Sequence, residues 1–417
     1  PLPAVVGVRD ALLDEVLVHD EAGTNLGAQR TIGIGDVEAA FREAEYVRKE
    51  ELYVHRHTGN PMETRGLASS YDAAKNEITV WGASKIPYLN RSMLATLLDF
   101  PEERLHFIEL DVGGGFGIRG EFYPEDFLIP FIALKVGRPV KWIEDRQENL
   151  MACNHSRQQH HKIRAAVEAD GNVLAIDDEF YLDQGAYIRT HGTRVANLTT
   201  GTLPGLYRFP IFRATCHFCL TNKTPAATYR SPGRFEGSFV RERLMDAIAT
   251  ELGMDSIAVR RRNLISKEEM PYARKLDVLG DSVEQDTGDY AGLLDQALAE
   301  HQAEGGIEAR AARYGRNCRV LVDGLRDIGF ETFLPDVLQA PIIVTFHMPQ
   351  DPAFEFDAFY DALAQHGYLI YPGKLTDGPS FRIGCIGDIR ATDMENLLGV
   401  IGAILKDKGV HRMGRGA

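Results

Sequence analysis

The chain is poor in the features that mark secreted, membrane and nucleic-acid-binding proteins. Its 417 residues include only five cysteines, an odd number that excludes a fully paired disulfide framework and favours a reducing cytoplasm. No apolar run approaches the roughly 20 residues that span a bilayer, and no secretory signal opens the chain. The formal net charge of −14 argues against nucleic acid and anionic membranes as partners. We therefore expect a cytoplasmic globular protein of two or three domains that contacts neither.

The sequence also lacks a complete set of cysteines for a metal site. Cys216 and Cys219 form a lone C-x-x-C in a segment that alternates like a strand, so the two thiols are predicted to point to opposite faces. A zinc or iron–sulfur site needs a second pair, and the sequence has none. His155, His160 and His161 lie in a polar stretch that we interpret as a solvated face. The sequence predicts no metal held by protein side chains.

An initiator methionine is missing as well, because the chain opens on Pro1-Leu2-Pro3. We therefore expect a fragment or a processed product. Residues 1–30 are extended and then rich in Asp and Gly, which predicts a connector.

Glycine, by contrast, is abundant, with 40 residues. The most informative stretch is Asp111–Gly117, DVGGGFG, which follows a predicted strand. Adjacent glycines are costly because glycine loses the most conformational freedom on folding. Without a Cβ, such a turn can aim successive N–H groups at an anionic or oxygen-rich ligand. The alternative, a tight turn that binds nothing, stays open on the glycines alone.

Periodicity predicts mixed helix and strand in residues 31–295. Asp36 is a predicted N-cap, Gly137 and Gly253 are predicted C-caps, and Asp170-Gly171 predicts a hairpin. One predicted helix starts at residue 35, a second spans 127–136, and a third starts at residue 235. Predicted strands include 78–81 and 106–110, and strand-like runs dominate residues 141–220.

A different pattern starts at residue 296 and predicts a compact α+β domain. The predicted order is helix, strand, strand, helix, strand, strand, helix. The predicted elements are helices 307–328 and 356–366, strands 331–334, 342–346, 368–371 and 381–386, and a last helix with a capping box from Thr392 to Glu395.

Several long motifs give the first part of the chain a family resemblance. DVGGGFG with the segment that follows it, PMETRG (Pro61–Gly66), TYRSPGRFEG (Thr228–Gly237) and ERLMDAIATELGMD occur in order. Residues 1–295 therefore resemble the large, molybdopterin-binding subunit of the xanthine dehydrogenase/aldehyde oxidase family. The resemblance implies a molybdenum–molybdopterin cofactor and hydroxylation of an aldehyde or N-heterocycle with oxygen from water. It also implies iron–sulfur and FAD subunits as partners, a small-molecule substrate and an oligomer.

The resemblance also implies a site. Its cofactor-binding residues are Gly114, Gly115, Phe116, Gly117, Arg230 and Ser231, and its substrate-binding residue is Lys85. Phe116 is expected to exclude bulk water. Arg230 offers a guanidinium suited to ligand oxygens, although an Arg in a Pro/Gly loop can also be a structural ion-pair partner.

Three departures from the family pattern limit what the resemblance implies. Lys85 stands where many relatives have a Gln. Ser231 stands where carbon monoxide dehydrogenases have a Cys, which argues against a copper–molybdenum site. The general-base Glu of the family has no counterpart in this sequence, so the catalytic residues stay unknown.

A second resemblance covers about residues 299–406, on motifs such as RVLVDGLRDIGFETFLPD, YLIYPGK and SFRIGCIGDI. This segment resembles the C-terminal domain of 2-aminoethylphosphonate–pyruvate transaminases, which are pyridoxal phosphate enzymes. The resemblance implies that Arg382 binds the anionic end of a substrate, whereas the alternative is an exposed strand Arg. Lys374 is not the Schiff-base Lys, because that residue belongs to the large domain of the family.

Together the two resemblances predict an α/β (α+β) fold with three parts. These are a connector from a missing N-terminal domain (1–30), a truncated two-lobed molybdopterin-binding domain (31–295) and a small aminotransferase-type α+β domain (296–417). The expected function is that of a molybdenum hydroxylase fragment. The alternatives are a transaminase-like pyridoxal phosphate fragment and a catalytically incomplete fusion.

Overall fold

The structure is a computed structural model that describes residues 2–375 and 378–411, without the side chains of Asp277, Lys374 and Leu375. The chain forms two compact units, residues 1–291 and 292–417. The division between residues 291 and 292 lies within the helix Tyr290–Glu304, and so does the boundary predicted between residues 295 and 296. Both units mix helices and strands, which confirms the predicted α/β (α+β) class. In the part described, no helix is both long and apolar enough to cross a membrane.

The first unit contains short helices and two larger sheets. Its helices are α1 Val8–Ala11, α2 Val37–Glu43, α3 Pro87–Leu98, α4 Pro124–Val136, α5 Arg146–Ala152, α6 Gly192–Thr202, α7 Arg234–Leu252 and α8 Ser256–Asn263. Its strands are β1 Leu26–Ile34, β2 Tyr46–Val54, β3 His57–Thr58, β4 Gly66–Asp72, β5 Glu77–Gly82, β6 Leu105–Glu109, β7 Val140–Ile143, β8 His155–Ser156, β9 Gln159–Val167, β10 Val173–Gly185, β11 Ile211–Leu220, β12 Tyr272–Val278 and β13 Asp281–Gln285.

The two larger sheets divide the first unit into two halves. The five-stranded sheet has the order β1-β11-β10-β9-β2, and only β10 and β11 in it are parallel. The four-stranded sheet has the order β6-β5-β4-β7. In that sheet α3 connects the parallel strands β5 and β6. Helices α3 and α4 pack against the sheet and against each other. Helices α6 and α7 pack against each other and against strands of the five-stranded sheet.

Local signals explain many of the element ends. Asp36 Oδ1 accepts the N–H of Ala39 at 3.0 Å and so caps α2. Gly137 and Gly253 end α4 and α7 with φ of 64°, in the left-handed region that glycine tolerates. The predicted hairpin joins β9 to β10, and Gly171 has φ of 84° there.

Strands dominate residues 141–220 as predicted, but helix α6 also lies there, and its Thr- and Gly-rich sequence has little helix propensity. Burial of Val195 and Ala196 stabilises the helix instead. The role of residues 1–30 as a connector stays a prediction, and residues 2–30 pack on the rest of the first unit. Val5 is buried, its N–H donates to Asn222 Oδ1 at 2.8 Å, and β1 is the edge strand of the five-stranded sheet.

The second unit packs helices on one antiparallel sheet of order β14-β16-β15. Its elements are α9 Tyr290–Glu304, which carries the division between the units, α10 Gly306–Ile328, β14 Ile343–His347, α11 Phe356–Gln365, β15 Tyr371–Leu375, β16 Gly378–Gly384 and α12 Ala391–Asp407. One continuous apolar cluster fills its interior, with Phe346, Phe359 and Phe381 fully buried.

Three predictions for this unit differ from the structure. Residues 331–334 are not a strand, since only the isolated bridge from Thr332 to Phe346 joins them to β14. Tyr371 begins the strand that was predicted to end there. The cap of α12 lies two residues earlier than predicted, because the Arg390 N–H donates to Asp393 Oδ2 at 2.7 Å.

Candidate functional site

The glycine turn, residues 113–117, lies where the four-stranded sheet ends. Because β5 and β6 are parallel, the segments that follow them leave the sheet at the same edge. Lys85 follows β5, and the glycine turn follows β6. Gly114 and Gly117 both have φ of 104°, and Phe116 has φ of 50°. Left-handed residues thus dominate the turn, and such a conformation is costly for any residue but glycine.

The backbone of the glycine turn presents hydrogen-bond donors to solvent. The Gly113 N–H donates to the Glu63 carboxylate. The N–H groups of residues 114–117 donate to no acceptor within residues 2–375 and 378–411. Successive unpaired N–H groups on a partly exposed turn are suited to bind an anionic or oxygen-rich ligand.

A buried arginine holds the glycine turn in this shape. Arg119 is 5% exposed, and its Nε donates to the Gly114 carbonyl at 3.0 Å. Its Nη2 donates to the carbonyls of Glu63 at 2.9 Å and Thr64 at 3.1 Å. Glu63 and Thr64 belong to the PMETRG motif, so this motif supports the glycine turn.

The second loop, residues 228–231, packs directly on the glycine turn. The Arg230 N–H donates to the Phe116 carbonyl at 2.7 Å, and Thr228 Oγ1 donates to the Gly117 carbonyl at 3.0 Å. A Cβ on Gly117 would lie 3.3 Å from backbone atoms of Thr228, Tyr229 and Arg230. Glycine at position 117 is therefore needed twice, for its φ and for the close approach of the second loop.

The side chain of Arg230 is free at this junction. It is exposed, and within the part of the chain that the structure describes its guanidinium makes no hydrogen bond or ion pair. The alternative role of a structural ion-pair partner therefore has no support in the structure. Ser231 beside it is also exposed and has φ of 58°, and Phe116 exposes 49% of its surface.

Lys85 lies beside the same two loops. Its N–H donates to the Arg119 carbonyl at 3.1 Å, and its side chain is exposed. A Cβ on Gly120 would lie 3.5 Å from Lys85 Cδ and 3.8 Å from Thr228 Oγ1. The structure thus brings the predicted residues of the first unit together at the junction of the glycine turn and the 228–231 loop.

Arg382 belongs to the second unit. It lies on β16 between the buried residues Phe381 and Ile383, so its side chain points away from the core. Its Nη2 lies 3.4 Å from the Pro372 carbonyl. This is an exposed strand arginine by geometry, and its predicted role in binding an anion stays a prediction.

Sequence reasoning missed a buried ion pair beneath the second loop. Arg157 is 5% exposed, Glu236 is fully buried, and Nη1 of the first lies 3.2 Å from Oε2 of the second. Burial raises the pKa of Glu236, and the charge of Arg157 opposes that rise. The only signal in the sequence was the position of Glu236 in the motif that contains Arg230.

The interpretation of the three histidines as a solvated face is wrong for His161. The alternation of β9 turns His161 inward, where Nδ1 lies 2.8 Å from Asp178 Oδ2 and the ring stacks on Phe180 at 4.7 Å. His160 points to the other face and lies 2.5 Å from Glu51 Oε1. His155 is partly buried, with its Nε2 3.0 Å from the Leu150 carbonyl.

Cys216 and Cys219 lie on opposite faces of β11, as predicted. Cys216 packs with Phe180 and Phe218, whereas Cys219 packs with residues of the N-terminal segment. Burial raises the pKa of both thiols, that of Cys219 to about 12. In the described ranges no three or more His, Cys, Asp or Glu side chains are grouped to hold a metal ion.

A small cavity of about 20 Å³ lies beside Arg119 and is lined by charged side chains, among them Arg65, Glu121 and Asp126. Burial raises the pKa of Asp126 to about 6, although the Tyr123 N–H that donates to its Oδ2 at 2.7 Å opposes the rise. The carboxyl group of Asp126 is therefore expected to change its charge near pH 6.

The fold is that of an α/β domain in which two hydrogen-bonded loops carry unpaired donors, and the family follows from comparison. The chain belongs to the molybdopterin cofactor-binding domain family, whose model matches residues 18–264. It is 36% identical over 298 residues to the 6-hydroxypseudooxynicotine dehydrogenase complex subunit gamma of Paenarthrobacter nicotinovorans, covering 72% of this chain and 37% of that protein. The structure is similar to quinoline 2-oxidoreductase from Pseudomonas putida 86, with a TM-score of 0.67 and 26% identity, over 89% of this chain and 44% of the other.

A shorter stretch has other relatives. Over 119 residues, 28% of the chain, it is 49% identical to the 2-aminoethylphosphonate–pyruvate transaminase of Cupriavidus taiwanensis, of which it covers 32%. The resemblance to two families, joined in one polypeptide, is thereby confirmed. The chain spans only about a third of the length of these curated relatives.

The residues present fit part of a pterin–molybdenum group. Four unpaired N–H groups in the glycine turn and the free guanidinium of Arg230 are donors, and the group is rich in acceptor oxygens. A Cβ at Gly117 would crowd the contact between the glycine turn and the 228–231 loop, which carry these donors. The fit is therefore to the oxygen-bearing side of the group.

Proposed function

We propose that the first unit is the cofactor-holding fragment of a molybdenum hydroxylase large subunit. The reaction would be oxidation of an aldehyde or N-heterocycle, with oxygen taken from water. One observation supports this most strongly: the unpaired N–H groups of residues 114–117 and the free guanidinium of Arg230 belong to two loops that are hydrogen-bonded to each other. Because the chain spans about a third of its relatives, the activity of a whole enzyme is part of the proposal.

In this proposal the cofactor supplies the oxygen transfer and accepts two electrons, and the chain supplies orientation. The N–H groups of Gly115, Phe116 and Gly117 donate to oxygens of the cofactor. Phe116 shields that contact from water with its half-exposed ring. Arg230 holds a ligand oxygen through its fork of donors, with Ser231 beside it, and Lys85 approaches the substrate from the β5 side.

Further parts of the proposal concern partners and compartment. The relative from P. nicotinovorans is named as a subunit of a dehydrogenase complex. We extend this to iron–sulfur and FAD subunits that take up the electrons, and to an oligomer. All five cysteines are unbonded and buried, which supports a reducing compartment such as the cytoplasm.

The test is production of the full chain in a host that makes molybdopterin. Stoichiometric molybdenum and pterin in the purified protein, with aldehyde-dependent dye reduction, are expected. Arg230→Ala should lower the rate by at least about tenfold while leaving stability unchanged. Arg138→Ala, another exposed arginine, is the matched control. Metal and pterin without turnover would support the incomplete fusion, and absence of both would contradict the proposal.

A second candidate concerns the other unit. The relation to transaminases and the exposed guanidinium of Arg382 favour binding of pyridoxal phosphate or of an anionic amino donor. The family resemblance places the Schiff-base Lys outside the matched segment. We therefore expect no new absorbance band when pyridoxal phosphate is added to the purified chain, and a stable band would favour this second candidate.

A further inference from the structure

The buried ion pair of Arg157 and Glu236 lies against the loop that carries Arg230. Replacing such a pair by apolar residues is often neutral or stabilising, so the pair itself is weak evidence of a role in stability. Its contacts point elsewhere. Nη1 of Arg157 lies 3.2 Å from Glu236 Oε2, while Nη2 donates to the Arg230 carbonyl at 2.5 Å and lies 3.5 Å from the Tyr229 carbonyl.

The backbone of Arg230 is therefore held at both ends. Its carbonyl accepts from Arg157, and its N–H donates to the Phe116 carbonyl at 2.7 Å. The side chain of Arg230 is the only part of the residue without a partner in the described part of the chain. A change in Arg157 would thus reach both Arg230 and the glycine turn.

The plane of the Arg157 guanidinium is fixed as well. Its Cζ lies 4.1 Å from the ring centroid of Phe235 and 4.9 Å from that of Tyr229. Arg157 itself has φ of 79°, a strained conformation for a residue other than glycine. A lysine keeps the charge here but loses the planar fork that reaches Glu236 and the loop together.

We infer that Arg157 and Glu236 are positioning residues, which fix the 228–231 loop against the glycine turn so that the Arg230 guanidinium and the N–H groups of 114–117 face one ligand. Glu236 orients the guanidinium of Arg157, and Arg157 sets the Arg230 carbonyl. Neither touches the ligand. The inference rests on the proposed function for the identity of that ligand, but the positioning itself is a property of the chain.

The experiment compares Arg157→Lys and Glu236→Gln with Arg274→Lys in the full chain. Arg274 is the matched control because it is also 5% exposed and donates to two carbonyls, those of Gly205 and Tyr207, away from both loops. Amide hydrogen exchange in residues 113–120 and 228–231 measures how firmly the two loops are held. Calorimetric titration with molybdate measures the affinity of their donors for an oxyanion. Urea unfolding identifies variants of equal stability.

In both test variants the Arg230 amide should exchange about tenfold faster, and molybdate should bind about tenfold more weakly. Each change is the size expected from the loss of one hydrogen bond. Arg274→Lys should change neither. Affinity at equal stability is a readout that a purely structural role would leave alone. Glu236→Gln is nearly isosteric and keeps the test open if Arg157→Lys does not fold.

Unchanged exchange and affinity in a folded Arg157→Lys or Glu236→Gln protein would overturn the inference. If the wild-type chain binds no molybdate, the proposed function loses support, and the exchange rate of the Arg230 amide still decides the positioning role. Faster exchange in Arg274→Lys to the same degree would also overturn it.

Discussion

The two units differ in what they bury. The interior of the second unit is one apolar cluster in which aromatic rings such as Phe346 and Phe381 pack against each other. The interior of the first unit contains charged pairs such as Arg157 with Glu236 and Arg65 with Glu144. Buried charges are expensive unless they are paired and hydrogen-bonded. The comparison teaches that the first unit uses its interior to position polar groups, whereas the second uses its interior for packing.

Two arginines make the same contrast at the surface. Arg230 has its backbone fixed at both ends beside a turn of unpaired donors, whereas Arg382 projects from a regular strand. A fixed backbone beside unpaired donors is what a binding site requires, so Arg230 has the stronger structural case.

Phe381→Ala gives the largest expected effect. The ring is fully buried and lies 5.4 Å from Phe330 and 5.7 Å from Phe346, so its loss should cost the second unit about 3–5 kcal/mol. Hydrogen exchange across β14 and β16 would measure it. Tyr371→Ala, an exposed aromatic on β15, is the control and should stay within about 0.5 kcal/mol. Equal effects would contradict a packing role for the second unit's core.

Asp126→Asn tests the polar interior of the first unit. Burial raises the pKa of Asp126 to about 6, above that of an exposed Asp, so the folded chain binds more protons between about pH 4 and pH 6. Its contribution to stability is therefore lost as the pH rises through this window. The Asn variant should gain up to about 3 kcal/mol at pH 7.5 and roughly half of that at pH 5.

Urea unfolding at the two pH values measures this gain. Asp20→Asn, at an exposed carboxylate, should show no comparable dependence on pH. A gain for Asp126→Asn that is independent of pH would contradict the role of burial.

Gly117→Ala tests the contact between the loops. Its φ of 104° should cost more than the about 1–2 kcal/mol expected for Gly137→Ala, which has φ of 64° and nothing within 4 Å of a new Cβ. Only Gly117→Ala crowds the 228–231 loop, so only it should also lose molybdenum. Urea unfolding and metal analysis of both proteins provide the measurement, and equal metal content would contradict the close fit.

The smallest effects are expected for Arg230→Ala and Arg382→Ala. Both side chains are exposed, so the free energy of unfolding should change by less than about 0.5 kcal/mol in each. A loss above about 1 kcal/mol, the size of one hydrogen bond, in urea unfolding would reveal a structural role for the arginine concerned.

Sequence alone was enough where the signal is local. The caps at Asp36, Gly137 and Gly253 and the hairpin at Gly171 depend on residues within a few positions of each other. The motif resemblance also named the residues that meet where the two loops touch, although composition and periodicity do not say that the turn after β6 meets the loop before α7.

The remaining features depend on packing between distant segments. Whether His161 points inward depends on which face of β9 is covered, and the pair of Arg157 and Glu236 joins residues 79 positions apart. Helix α6 was missed for the same reason, because burial of Ala196 stabilises it rather than its own composition. Such contacts leave no periodic trace in a single sequence.

The most direct test of the account is the ratio of molybdenum and pterin to polypeptide in the full chain, purified from a host that makes the cofactor. The account predicts equimolar amounts in the wild-type and Gly137→Ala proteins and a large loss in Gly117→Ala. A wild-type protein without either component, or a Gly117→Ala protein with the full amount, would contradict it.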